Sequence, residues 1–209
     1  MVHYAAGILP VTWHEGRALF LVGQDVRDRS WSDFGGKCER VDKNDPMNTA
    51  CREFYEETYG CVLDWRMLRH RMHPGNCLSL RSRTQNQHPY WMFLVQMPYR
   101  PHLRNAFHRT LQFVRYKNLC KAFVEKIDLR WVTWEVLRGA QLAKRPVFQA
   151  TLEAHADLLG RVVAGERWES LCAEHACAHA SSASDLGLAG RPAPPGGQCH
   201  GPAATSCHV

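Results

Sequence analysis

The chain has 209 residues, 45% of them hydrophobic, and a formal charge of +6. That length buries one full core with an appendage left over, and the mild positive charge favours a polyanionic ligand without marking a nucleic-acid binder. No run of 18 apolar residues is present, which excludes a membrane-spanning helix and argues against a membrane partner.

The opening residues Met1–Pro10 lack the basic start and long apolar stretch of a signal peptide, so an intracellular, cytoplasmic location is expected, with a nuclear one left open. Nine cysteines, including Cys38, Cys51, Cys61, Cys77 and Cys120, follow no framework spacing and are expected as reduced thiols. Tyr4–Trp13 reads as a strand, His14–Arg17 as a turn and Ala18–Gln24 as its apolar partner. After the polar loop Asp25–Ser30, Trp31–Phe34 predicts a short strand ended by Gly35 and Gly36, where a backbone without Cβ can come close to a ligand.

A helix beginning at Asp45 or Pro46 follows, with Ala50, Cys51, Phe54 and Thr58 towards a core and the carboxylates of Glu53, Glu56 and Glu57 gathered in a separate exposed patch. Like charges at that spacing repel, and a hard divalent cation such as Mg²⁺ or Mn²⁺ would neutralise them; a solvated acidic face is the plainer alternative. Arg52 can pin a carboxylate with its two-pronged guanidinium. Cys61–Leu63 then predicts a short strand or an extended exit.

Residues 66–83 are basic around a Pro74-Gly75 turn and read as a solvated edge or a phosphate-facing strand. Tyr90–Met97 is a strand apolar enough for burial on both faces. The segment Tyr99–Lys117, carrying Arg104, Arg109 and Arg115 among aromatic residues, predicts a loop or an irregular helix, suited to phosphate or base recognition or to no chemical role. Leu129–Val132 reads as a strand, Trp134–Leu137 as a short helix and Arg145–Leu159 as an amphipathic helix. Folded character ends near Trp168, so a domain over residues 1–170 and a disordered tail over 171–209 are expected. His175, Cys177, His179, Cys199, His200, Cys207 and His208 lack the paired spacing of a zinc knuckle, so any metal bound there would be adventitious.

Between Gly36 and Gly60 the chain resembles the signature of the Nudix hydrolase family: Gly, five residues, Glu, seven residues, then Arg-Glu-apolar-x-Glu-Glu-x-Gly-apolar. Arg52, Glu53, Phe54, Glu56 and Glu57 match it position for position. Asp42 stands where the first glutamate is expected, two extra residues separate it from Arg52, and Tyr59 delays the closing glycine to Gly60. The resemblance, over residues 4–140, implies an α/β fold with a mixed β-sheet sandwiched between helices. It implies hydrolysis of a nucleoside diphosphate linked to another group, with Mg²⁺ or Mn²⁺ held by Glu53, Glu56, Glu57 and the Gly36 carbonyl. Lys37, Arg104 and Arg109 are then candidate phosphate contacts, and Arg52 and Asp42 a supporting pair whose salt bridge is either lost or remade from Asp45.

The resemblance implies a general base on the signature helix or in a later loop, which makes Glu53 and Glu125 the candidates here, with Glu53 favoured as base and partial ligand. The partner is a nucleotide-type small molecule or capped RNA, oligomeric state being left open. A competing reading is a catalytically impaired Nudix-like module that binds nucleotide or RNA, supported by the altered loop 42–48. A calcium loop from Asp42 to Glu53 is rejected, because Pro46 and Met47 occupy its fifth and sixth positions, where a glycine is required at the sixth.

Overall fold

The computed structural model describes residues 3–73, 75–117 and 124–184. Its strands are β1 (Ala5–His14), β2 (Arg17–Asp25), β3 (Trp31–Ser32), β4 (Phe34–Lys37), β5 (Cys77–Arg83), β6 (Pro89–Gln96) and β7 (Lys126–Thr133). They form one mixed sheet in the order β3-β2-β1-β6-β5, with β4 paired to β1 and β7 to β2. The pairing of β1 with β6 is parallel and the remaining pairings are antiparallel.

Helices cover both faces, as the resemblance implies. On one side lie α1 (Pro46–Glu57), α2 (Trp65–Arg71) and α3 (Leu103–Tyr116). Their Ala50, Phe54, Leu68, Phe107 and Leu111 pack with Ala6, Ile8, Phe34, Phe93 and Val95 of the sheet. On the other side lie α4 (Trp134–Arg138), α5 (Pro146–Ala154), α6 (Ala156–Val163) and α7 (Trp168–Ser184). Here Leu137, Phe148, Leu159, Val162 and Leu171 meet Leu9, Val11, Phe20, Leu78 and Met92. Successive side chains of β6 thus enter opposite cores, which is why Tyr90–Met97 shows no polar alternation.

Several elements differ from expectation. Gly35 and Gly36 lie inside a strand rather than beyond one, opposite Gly7 and Ala6 of β1. The basic stretch from residue 66 opens as helix α2, whose N-cap Asp64 accepts from the N–H groups of Arg66 and Met67. Its single fully buried side chain, Leu68, leaves almost no apolar period to read. The segment from Tyr99 contains a regular 14-residue helix, seated by Leu103, Phe107 and Leu111 at i,i+4 spacing. Cys61–Leu63 is irregular, and the long C-terminal amphipathic segment is two helices, broken at His155.

The boundary at residue 170 falls within α7, whose Leu171 and Cys172 are each 1% exposed. Trp168 Nε1 donates to the Asn76 carbonyl at 3.2 Å, and His175 Nε2 lies 2.7 Å from the Ser79 carbonyl oxygen, so this helix is fastened to the outer strand β5. Residues 171–176 therefore belong to the folded unit. Cys51, Cys61, Cys77 and Cys172 are thiols. Pro74, Cys120 and the tail cysteines and histidines from Cys177 onward lie outside the described residues or side chains.

Candidate active site

Helix α1 starts where its sequence dictates. Asp45 is the N-cap, its Oδ1 accepting from the Met47 N–H at 2.9 Å, and Pro46 fills the first turn without losing a hydrogen bond. Phe54 stacks edge-on against Phe34 of β4 with ring centroids 5.2 Å apart, which sets the helix over the glycine strand. The contact is close: a Cβ built on Gly36 would stand 2.5 Å from Glu53 Oε1. Only glycine lets Glu53 lie there.

The helix ends at Glu57, so the late glycine does not lengthen it. Thr58 caps it, and Tyr59 (φ 53°) and Gly60 (φ 66°) are both left-handed, with the Gly60 N–H returning to the Tyr55 carbonyl at 3.0 Å. The extra residue is absorbed by a second left-handed position.

Arg52 organises the polar side of the helix. Its Nε and Nη2 each donate at 3.0 Å to the two oxygens of Asp42, Nη2 also reaches the Lys37 carbonyl at 3.0 Å, and Nη1 lies 3.0 Å from Glu53 Oε1 and 3.1 Å from Glu56 Oε2. Asp42 therefore makes the expected bridge itself, while Asp45 is occupied as the cap. A short 3₁₀ turn, Arg40–Asp42, and two left-handed residues, Lys43 and Asn44, take up the two-residue insertion and carry Asp42 in. Burial pushes the Asp42 carboxyl up, but the Arg52 fork, the Glu39 N–H and the Thr49 hydroxyl outweigh it and hold the group below its usual range.

The three glutamates are not one exposed patch. Glu57 is 3% exposed, Glu53 is buried and Glu56 is half-buried. Glu57 faces inward with Phe54 because the two are three residues apart. Behind it lies Lys126 of β7, fully buried, with Nζ 3.5 Å from Glu57 Oε1 and donating to Ser32 Oγ at 2.9 Å. Burial, partly offset by Lys126, raises the Glu57 carboxyl to about 8. Burial, partly offset by Arg52, raises Glu53 to about 7.

A cleft of about 440 Å³ opens beside this helix and is lined by Gly36, Lys37, Glu53 and Glu125 among the expected site residues. It is also lined by Arg27, Asp33, Tyr90 and Arg145, which sequence reasoning did not select. The Tyr90 hydroxyl donates to Asp33 Oδ2, and burial raises that carboxyl to about 6. Arg145 is anchored through Nη2 to Asp25 Oδ2 at 2.6 Å. Asp33 just ahead of the glycines, and Lys126 at an inward position of a strand, were the available signals.

Arg104 and Arg109 do not line the cleft. Arg104 holds Asp128 with both prongs at 2.7 Å, and His108 Nε2 lies 2.9 Å from the same carboxylate, so this expected phosphate ligand is an internal ion pair of α3 and β7. Arg109 is exposed on α3.

The donor set suits a hard cation: it is all oxygen, and both Glu57 oxygens are buried without a hydrogen-bond donor. Among the described residues no three His, Cys, Asp or Glu side chains already converge on one point. Arg52 and Lys126 supply the positive charge against Glu53 and Glu57 in this arrangement.

This architecture is a mixed sheet between two helical layers, with an acidic helix laid across a glycine strand. No protein-family model matches the chain, and no curated protein matches it in sequence. Solved structures similar to it in fold include Shewanella oneidensis NrtR, at 16% identity over 76% of this chain and 64% of that one, with a TM-score of 0.46. The chain thus spans under two thirds of that protein's length. The NUDIX domain of the same NrtR in complex with ADP ribose is 15% identical over 76% of this chain and 89% of that one, with a TM-score of 0.46. A C. elegans Ap4A hydrolase binary complex is 15% identical over 75% of this chain and 98% of that one, also with a TM-score of 0.46.

Proposed function

We propose that this protein is a Nudix-type hydrolase that uses Mg²⁺ or Mn²⁺ to cleave the pyrophosphate linkage of a nucleoside diphosphate joined to a second group. The observation that carries this reading is Glu53 seated against Gly36 under the Arg52 fork, at the wall of a cleft that also holds Lys37, Arg27 and Arg145. Carboxylates beside a row of cations suit a substrate that brings several negative charges and must be approached by water.

Glu53 and Glu57, with Glu56 and the Gly36 carbonyl, are the groups that would hold the cation. When bound, it lowers the pKa of water and offsets charge on the phosphates. Lys37, Arg27 and Arg145 bind and orient the pyrophosphate as fixed positive groups. Glu53 Oε1 is held by Arg52 at 3.0 Å, whereas Glu125 reaches the cleft from the approach to β7, so we assign the base to Glu125, which takes the proton of the attacking water on its carboxylate. This revises the preference for Glu53.

A small nucleotide is favoured over capped RNA, because Arg104 is consumed by Asp128 and the basic residues of α3 stand outside the cleft. The impaired-module reading loses its main support, since Asp42 makes the Arg52 bridge despite the altered loop. The deciding experiment is a panel of nucleoside diphosphate derivatives, dinucleoside polyphosphates and capped RNA, with Mg²⁺ or Mn²⁺, scored by product chromatography. Metal-dependent release of a nucleoside monophosphate or diphosphate from a small substrate is expected, and no turnover of any member would refute the reading.

A further inference from the structure

Arg27, Glu125 and Arg145 stand in the wall of the cleft, and each is fastened at Asp25 or at the residue after it. Asp25 Oδ1 accepts from the Arg27 N–H at 2.8 Å and Oδ2 from Arg145 Nη2 at 2.6 Å, while the Val26 N–H donates to the Glu125 carbonyl at 2.8 Å. One carboxylate thus ties together two cations of the cleft that are far apart in the chain.

The link is rigid at both ends. Asp25 is 3% exposed and sits where β2 and β7 slip register, Gln24 facing Asp128 and Asp25 facing Lys126. Bulges of this kind re-aim side chains beside active sites. The Asp25 N–H donates to the Ser30 carbonyl at 2.8 Å, which closes the β2–β3 loop. Arg145 is held from its own side by backbone pairing with β3: the Trp31 N–H donates to the Ala143 carbonyl at 2.8 Å, and the Arg145 N–H to the Trp31 carbonyl at 3.0 Å. Groups fixed in this way cost a ligand little ordering entropy.

The pairing also leaves Arg145 able to act. Arg104 gives Asp128 both Nε and Nη2, and its fork is used up. Among the described residues Arg145 gives up only Nη2, to Asp25, so Nε and Nη1 are left for a ligand in the cleft. Orientation matters here because the cleft is not uniformly positive: Asp33, Glu39, Glu53 and Glu125 share its wall with Arg27, Lys37 and Arg145. A guanidinium free to swing onto one of those carboxylates would be lost to a phosphate.

We propose that Asp25 is the positioning residue of a phosphate clamp, holding Arg27 and Arg145 as one unit against the pyrophosphate of the substrate. This rests on the hydrolase reading of the cleft. Asp25 is itself an anion, so charge alone would have its removal strengthen phosphate binding, whereas a positioning role has its removal weaken it. The sign of the change separates the two.

The test is calorimetric titration of the full chain with imidodiphosphate, a pyrophosphate mimic whose bridge is not hydrolysed, in Mg²⁺. Asp25→Asn keeps the side chain's shape and one carbonyl oxygen but sets an amide where Oδ2 was, so the links to Arg27 and Arg145 cannot both survive. It should weaken binding by about tenfold, the worth of a hydrogen bond to a charged group, as should Arg145→Ala. The double variant should bind within about twofold of Arg145→Ala, because residues that act as a unit are not additive. Asp25→Glu, which keeps the charge and displaces the carboxylate by one methylene, should weaken binding likewise, and melting temperatures verify the fold of each protein. Binding as tight as or tighter than wild type in either Asp25 variant, losses that add in the double variant, or no binding by the wild type would each overturn the proposal. Hydrolysis of a nucleoside diphosphate derivative by a protein whose Asp25 variants bind normally would remove the clamp and leave the hydrolase reading; a clamp that behaves as expected without turnover of any substrate would do the reverse.

Discussion

Arg52 and Asp42 meet through two parallel hydrogen bonds, Nε to Oδ1 and Nη2 to Oδ2, both 3.0 Å long, across an insertion that lies between them in the chain. Asp42 is 2% exposed and receives further donors from Glu39 N–H and Thr49 Oγ1 at 2.8 and 2.9 Å. The pair fixes the Arg52 guanidinium, which touches both Glu53 and Glu56.

Breaking this bridge should cost stability as well as activity. Asp42→Ala leaves Arg52 without its main buried partner and is expected to lower the unfolding free energy by about 3 kcal/mol, the low end for a broken buried ion pair. Urea denaturation measures this, and a loss below about 1 kcal/mol, the worth of an exposed pair, would show that the bridge is dispensable.

The glutamates should separate by role. Glu53→Gln and Glu57→Gln are expected to reduce turnover by at least about a hundredfold and to weaken metal binding, whereas Glu125→Gln slows turnover similarly with metal affinity retained. Steady-state kinetics combined with Mn²⁺ titration distinguishes these outcomes. Glu56→Gln should have the mildest effect of the three helix substitutions, since Glu56 is half-buried and keeps solvent contact, whereas Glu53 and Glu57 are buried.

Stability without metal should fall as pH rises. The carboxyls of Glu53 and Glu57 are raised in the folded state to about 7 and about 8, from an ordinary value of 4.5. Between pH 4.5 and 8 the folded state therefore holds protons that the unfolded chain has released, and folding loses free energy as those protons leave. Melting temperatures recorded in chelator across that window should decline, and Glu57→Gln should flatten part of the slope. An increase over the same range would contradict the burial of these carboxyls.

Truncation after residue 167 should be strongly destabilising. It removes Trp168, Leu171 and Cys172 from the core beside β5, and burial of even one large side chain is worth about 1.5–3 kcal/mol. Thermal melting of the shortened chain against the full one is the measurement; equal midpoints would mean that α7 contributes nothing to the fold.

The exposed basic residues of α3 should be silent in turnover of a small substrate. Arg109→Ala with Arg115→Ala is expected to change kcat/KM on a small nucleotide by less than about twofold, since surface charges outside a site contribute little. Arg104→Ala should act through stability instead, because it strips Asp128 of its fork. If capped RNA is bound, its affinity will fall steeply with salt, with a log-log slope near −0.7 per phosphate contacted; a flat response in a filter-binding titration would confine the substrate to the cleft.

What the sequence by itself determined is local. The Asp45-Pro46 start of α1, its inward Ala50, Cys51 and Phe54, the adjacency of Arg52 to three carboxylates, and the doubly buried strand β6 all follow from caps and periods that act over a few residues. The tertiary structure alone decided how distant charges pair. Glu57 became a buried group only when β7 placed Lys126 behind it, and Arg104 ceased to be a phosphate ligand when Asp128, 24 positions away, took both its prongs. Arg27 and Arg145 entered the cleft from loops far apart in the chain, where no periodicity links them to α1. An apolar period records which face of an element is buried, but the partner of a buried charge is set by which elements the sheet brings side by side, and that pairing leaves no mark at i+3 or i+4.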